Sequence, residues 1–209
     1  MDRHFLSDTG QLMQILDSIN LHEEIKLEEM PEYRLYISQL EEFFDKKLGR
    51  SASDEEERKT ISKTMIQNYI KDGLLMPPEG KCYNRNHVIL LTLIYNLKSI
   101  LSIKDIRKLL SPILNDIDNE DSLTDIQYLY NTYLRLNEAA LTGFSASLAE
   151  SFERIKSQPK MEEKSDCEWE HIMLLLLVAT LISEANARKK LAEHIIDKYF
   201  SGDGCKEES

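Results

Sequence analysis

With 209 residues and a mass of 24.3 kDa, the chain has material for one or two compact domains. Its 42% apolar residues can form a core, while 7 Gly and 5 Pro are about half of ordinary usage, which excludes a collagen-like chain and argues against a many-stranded sandwich or barrel. A net charge of −11, from 26 basic and 37 acidic residues, argues against a uniformly basic polyanion binder.

Helical periodicity runs through the chain. Residues 10–26 put Leu12, Ile15, Leu16 and Ile19 on one stripe. Pro31 opens a second helix whose Leu35, Tyr36, Leu40, Phe43, Phe44 and Leu48 recur at three- and four-residue spacing, with Gly49 placed for a left-handed cap. Residues 50–57, with Asp54-Glu55-Glu56-Glu57, read as a solvated loop or an acidic first turn. Ser62 caps a helix through Asp72 that Gly73 ends. Between Leu74 and Tyr83, the string Pro77-Pro78-Glu79-Gly80 is a tight turn joining two short extended pieces, an edge hairpin because proline cannot donate to a ladder.

Asn84 or Asn86 caps a strongly apolar helix through Leu97, and Ser102-Ile103-Lys104-Asp105 starts another to about Leu114. Two long helices follow, about 122–155 with Gly143 as a candidate kink and about 166–200, joined by a linker over 157–165; residues 201–209 read as a disordered polar tail. The apolar run Ile172 to Ile182 is about half the roughly 20 residues a bilayer needs, so it reads as a core helix with no membrane partner. The polar start Met1-Asp2-Arg3-His4 carries no signal-peptide pattern, and Cys82, Cys167 and Cys205 are spaced too widely for a thiolate zinc site. A cytoplasmic protein is expected.

Catalytic signatures are missing. The sequence contains no Gly-x-Gly-x-x-Gly, Walker A or Gly-x-Ser-x-Gly element, so no enzyme and no cofactor are expected. Glu168-x-x-His171 has di-iron spacing but lacks its second copy, since His194 has no Glu three residues before it; His4, His22 and His87 stand alone. No metal site follows. Cys82 reads as an inert thiol, Tyr69 and Tyr83 as packing residues, and Tyr128, Tyr130 and Tyr133 as core, with a small-ligand pocket as the alternative.

Charge is segregated. Residues 58–110 hold ten basic side chains against three acidic ones, a surplus of +7 that leaves −18 for everything else. Within this segment Lys63, Gln67 and Lys71 share one face at four-residue spacing, flanked by Thr64 and Asn68, while Met65, Ile66, Tyr69 and Ile70 face the other way. Gln and Asn can pair with adenine edges and lysines can hold phosphates, so these five residues make a candidate reader of double-stranded DNA.

The strings Ile61 to Tyr69, Gly73-Leu74-Leu75 with Pro77, Lys81-Cys82-Tyr83, Val88 to Leu97 and Leu101 to Ile106 resemble the MerR-type winged helix-turn-helix. More closely, with Met30-Pro31-Glu32-Tyr33-Arg34-Leu35-Tyr36-Ile37-Ser38-Gln39 upstream, they resemble a bacterial family numbered 1836 among the domains of unknown function. The resemblance implies an all-α protein built from a MerR-like winged helix-turn-helix, with a short β-hairpin wing, and a C-terminal helical bundle. Its parts would be N-terminal helices in 1–57 (first helix of the motif about 31–49), the winged module in 58–115, dimerisation or effector helices in 116–200 and the tail 201–209. It further implies a DNA-binding transcriptional regulator with the helix after Ser62 in the major groove. Lys81, where a wing Arg usually sits, and Arg85 would then meet phosphate, Gln67 would stand in for an Arg, two modules would pair in a homodimer, and a small-molecule or protein effector would act on the bundle. The alternatives are a protein-interaction adaptor that keeps the fold without DNA binding and, more remotely, a ligand-binding or enzymatic bundle.

Overall fold

A computed structural model describes residues 8–19, 21, 24–49, 61–117, 125–160 and 164–200 of the chain. Among these residues it is 76% helix, with seven helices and a single two-stranded sheet, so the molecule is all-α in class. The expectations for 50–57, for the first turn at Ser122 and for the tail 201–209 fall outside the described residues.

In chain order the elements are α1 (Thr9–Ser18), a 3-10 turn (Leu27–Glu29), β1 (Leu35–Tyr36), α2 (Ile37–Leu48), α3 (Lys63–Lys71), β2 (Cys82–Tyr83), α4 (Arg85–Lys98), α5 (Ile103–Ile117), α6 (Ile126–Lys156) and α7 (Asp166–Tyr199). They form two compact units, one of Met1–Glu23 with Arg135–Lys190 and one of Glu24–Leu134 with Leu191–Ser209.

The second unit holds the larger core. Leu40, Phe44 and Leu48 of α2, Ile66 and Tyr69 of α3, and the run Val88 to Leu91 of α4 are buried together with Leu74, Ile106, Tyr130 and Ile196. Helix α4 buries residues all round its surface, which is why its apolar pattern is nearly continuous. Helix α5 carries Pro112 without breaking: the ring removes the amide that would bond the Lys108 carbonyl, and the Ser111 hydroxyl donates to that carbonyl instead at 2.9 Å. Ser102 caps α5 as the sequence implies, accepting from Asp105 N at 3.2 Å and donating to its carboxylate at 2.6 Å. The first unit packs Leu12 of α1 with Leu148 and Phe152 of α6 and Leu177 of α7.

Four expectations need correction. Helix α1 stops at Ser18, and residues 24–26 have no helical structure. The segment after Pro31 is not helical either. Residues 31–34 are irregular and Leu35–Tyr36 form a strand, because the Tyr36 amide is held by Gln39 Oε1 at 2.9 Å, fixing the start of α2 six residues late. Gly49 caps α2 with φ −75, so the left-handed cap belongs elsewhere. The sheet also differs from a hairpin within Leu74–Tyr83: β2 pairs antiparallel with β1, Leu35 opposite Tyr83 and Tyr36 opposite Cys82.

Candidate nucleic-acid interface

Helix α3 is made by its ends and one face. The Ser62 hydroxyl accepts from Met65 N at 3.3 Å, and Glu41 Oε1 takes the Lys63 amide at 2.5 Å, so two of the free amide groups at the N-terminus are satisfied. At the other end Gly73 adopts φ +66; its amide reaches the Ile70 carbonyl at 3.1 Å and the Leu74 amide reaches Tyr69 at 2.8 Å. This is the Schellman closure that the Asp72-Gly73-Leu74 string predicts. Leu74 and Leu75 then enter the core directly.

The inner face of α3 is Ile66, fully buried, and Tyr69, 6% exposed. Burial raises the Tyr69 hydroxyl above its ordinary pKa, which keeps it neutral at physiological pH. That leaves Lys63, Thr64, Gln67, Asn68 and Lys71 together on the exposed face. Among the described residues no carboxylate forms an ion pair with Lys63, Lys71 or Lys81. The nearest acid along the helix is Asp72, whose carboxylate lies 4.0 Å from Arg107 on α5.

The adjoining turn is built from its hydrogen bonds. Glu79 and Cys82 exchange backbone bonds of 3.0 and 3.2 Å around Gly80 and Lys81, and Gly80 takes φ +67, a conformation that a side chain would strain. Lys81 therefore sits at an exposed tip. Three groups hold the tip. Arg34 meets Glu79 at 2.5 Å, Asn84 Nδ2 donates to Glu79 Oε1 at 3.1 Å, and the buried His87 ring reaches the Pro77 carbonyl through Nε2 at 3.2 Å. Its Nδ1 lies 3.1 Å from the Asn84 amide and 2.7 Å from Asn84 Oδ1. Tyr83 packs against the same ring edge-on at 5.2 Å between centroids. Burial pushes the His87 pKa down, against a raising influence from the Pro77 carbonyl and Glu79.

Six of the seven residues selected from sequence lie on exposed surface of α3 and the neighbouring turn. Arg85 does not. Its Nη2 donates to the carbonyls of Met30 at 2.9 Å and Leu27 at 3.2 Å, and the side chain is 19% exposed, so this cation fastens the 3-10 turn to α4 and is removed from the phosphate-contacting set. The sequence reading missed Arg34 and Tyr36. Both are exposed, and Tyr36 lies opposite Cys82 in the ladder beside Lys81. Tyr36-x-x-Gln39, the N-terminal bracket of α2, was the available signal.

The tyrosines of α6 divide as well. Tyr130 is buried with its hydroxyl on the Ile25 carbonyl at 2.7 Å, and Tyr133 donates to Glu24 at 2.8 Å, whereas Tyr128 is exposed and lines nothing with them. Among the described residues, no group of three or more His, Cys, Asp or Glu is arranged to hold a metal ion. Helix α7 is long and apolar enough by length and composition to cross a membrane, with a mean hydropathy of 1.4 over its best window.

No curated protein and no solved structure matches the chain. One family model does, over residues 25–133, just over half of the sequence: Domain of unknown function (DUF1836).

Proposed function

The chain belongs to the DUF1836 family, and we propose that the member described here is a DNA-binding transcriptional regulator whose α3 and Lys81 turn act as the reading helix and wing of a MerR-type winged helix-turn-helix. The single observation that carries the reading is the exposed face of α3, where Lys63 and Lys71 flank Gln67 and Asn68 while Ile66 and Tyr69 anchor the opposite side. Amide side chains between two cations suit a groove: the lysines meet phosphate on either side and the amides meet base edges. Lys81, two residues before the buried Tyr83, supplies a further backbone contact. In this reading the protein acts in the cytoplasm as a homodimer, and a small molecule or protein effector biases the pair of modules.

Binding to duplex DNA titrated with salt tests the proposal. Each phosphate held by a lysine contributes about 0.9 to the slope of log affinity against log salt. Lys71→Glu with Lys81→Glu is expected to cut affinity more than tenfold and to flatten the slope by about 2. A second reading, a protein-interaction adaptor, is favoured by the acids beside the same surface, Glu41 on the Lys63 amide and Asp72 at the end of α3. Salt-insensitive background binding by the unaltered protein is the outcome that favours it.

A further inference from the structure

A cavity of about 460 Å³ opens between the 3-10 turn Leu27–Glu29 and helix α2. Gln39, Glu42, Phe43 and Lys46 supply its α2 wall, three and four residues apart and so on one face of that helix. Glu41, which holds the Lys63 amide, falls on another side of α2 by the same spacing. Met30 and Leu35, 2 and 4% exposed, make the floor, and the rings of half-buried Phe43 and of Tyr33, 69% exposed, stand around it.

The walls are fixed before anything enters. Arg85 Nη2 donates to the Met30 and Leu27 carbonyls at 2.9 and 3.2 Å, so the cation removed from the phosphate-contacting set fastens the turn that borders the cavity. Lys47 Nζ reaches Glu29 Oε1 at 2.7 Å and ties the turn to α2. The Phe43 ring meets the fully buried Phe44 edge-on, 5.4 Å between centroids. A cavity held in this way binds without first ordering its own walls.

Its charge is uneven. Glu29 is matched by Lys47, but among the described residues the side chains of Glu28, Glu42 and Lys46 form no hydrogen bond and no ion pair. Two carboxylates against one ammonium leave the lining one negative charge in excess. A divalent metal ion is a poor match, because it takes six or more oxygens and gains nothing from an apolar floor. An organic cation whose charge is spread over methyl groups suits all three features: the acids, the aromatic faces and the dry floor.

We propose that this cavity is a binding site for a small aromatic or alkyl ammonium ion, its apolar body on Met30 and Leu35, its charge between Glu28 and Glu42 and against the rings of Phe43 and Tyr33. The site does not depend on DNA binding.

Calorimetric titration of the full chain with benzyltrimethylammonium, at constant ionic strength and without DNA, tests it. Saturable binding with a Kd of about 1 mM or tighter is expected, with no competition from uncharged benzyl alcohol or from benzenesulfonate. Glu28→Gln with Glu42→Gln is expected to weaken binding about tenfold, and Phe43→Leu about threefold, with circular dichroism unchanged. Lys46→Glu is expected to tighten it about threefold. Glu138→Gln with Glu150→Gln, two exposed acids of α6, is expected to leave it as it was. No saturation by about 10 mM overturns the proposal. Equal binding of benzyl alcohol overturns it by making the cavity merely apolar, and an equal loss in the α6 variant does so by making the attraction that of the whole acidic chain.

Discussion

His87 shows how much one side chain can organise. It closes the first turn of α4 through Asn84, ties down Pro77 and receives the edge of Tyr83, all from a position 1% exposed. Because burial lowers its pKa below the ordinary 6.5, the unfolded chain takes up a proton at a pH where the folded chain does not. The stability this difference contributes is intact above pH 6.5 and is lost as pH falls from there towards the folded value. Urea melts are therefore expected to weaken as pH falls below 6.5, and His87→Gln, which retains an acceptor for the Asn84 amide but does not titrate, is expected to flatten that decline. Gly73 is the second such residue. At φ +66 there is space for a methyl group, yet the backbone resists it, so Gly73→Ala is expected to cost about 1 kcal/mol in thermal melts with α3 otherwise intact.

At the level of elements, the caps were legible and the pairings were not. Ser62, Gly73, Asn84 and Ser102 announce helix ends through local chemistry that operates within five residues, and the structure places those ends within a residue or two of the sequence reading. Strand β1 was read as helix because Leu35 and Tyr36 fit the apolar stripe of α2, and its ladder partner lies 46 to 48 positions away, beyond the reach of periodicity. Arg85 was misread for the same reason. Its charge suggested phosphate, while its carbonyl partners come from a turn 55 and 58 residues upstream. The two cations should separate cleanly by experiment. Arg85→Met leaves two carbonyls without a donor and is expected to cost about 2 kcal/mol in stability while the salt slope of DNA binding stays the same. Lys81→Gln is expected to leave the melting temperature unchanged and lower the slope by about 0.9.

Across the whole molecule, the phenols mark the alkaline limit. Tyr133 is pushed up to about 12, by burial first and then by its bond to Glu24, and Tyr130 is raised further by burial. Unfolded tyrosines ionise near pH 10, so the stabilisation from both groups is complete below that value and disappears above it. A sharp loss of folded protein above pH 10 is expected, and Tyr133→Phe is expected to lessen it, with the transition followed by far-ultraviolet dichroism so that phenolate absorption does not intrude.

The two units are interleaved along the backbone: the polypeptide passes from one to the other after Glu23, again after Leu134 and a third time after Lys190. No single scission can therefore release either of them. A fragment starting at Arg58, where the basic segment begins, would lack Leu35, Leu40 and Phe44, and one ending at Leu134 would lack Ile196 and the 2.6 Å link from Lys108 to Asp197. Anyone dissecting this protein should instead begin at Glu24 and splice residue 134 to 191 through a short glycine bridge, and should expect residues 24–134 and 191–200 to behave as one inseparable piece.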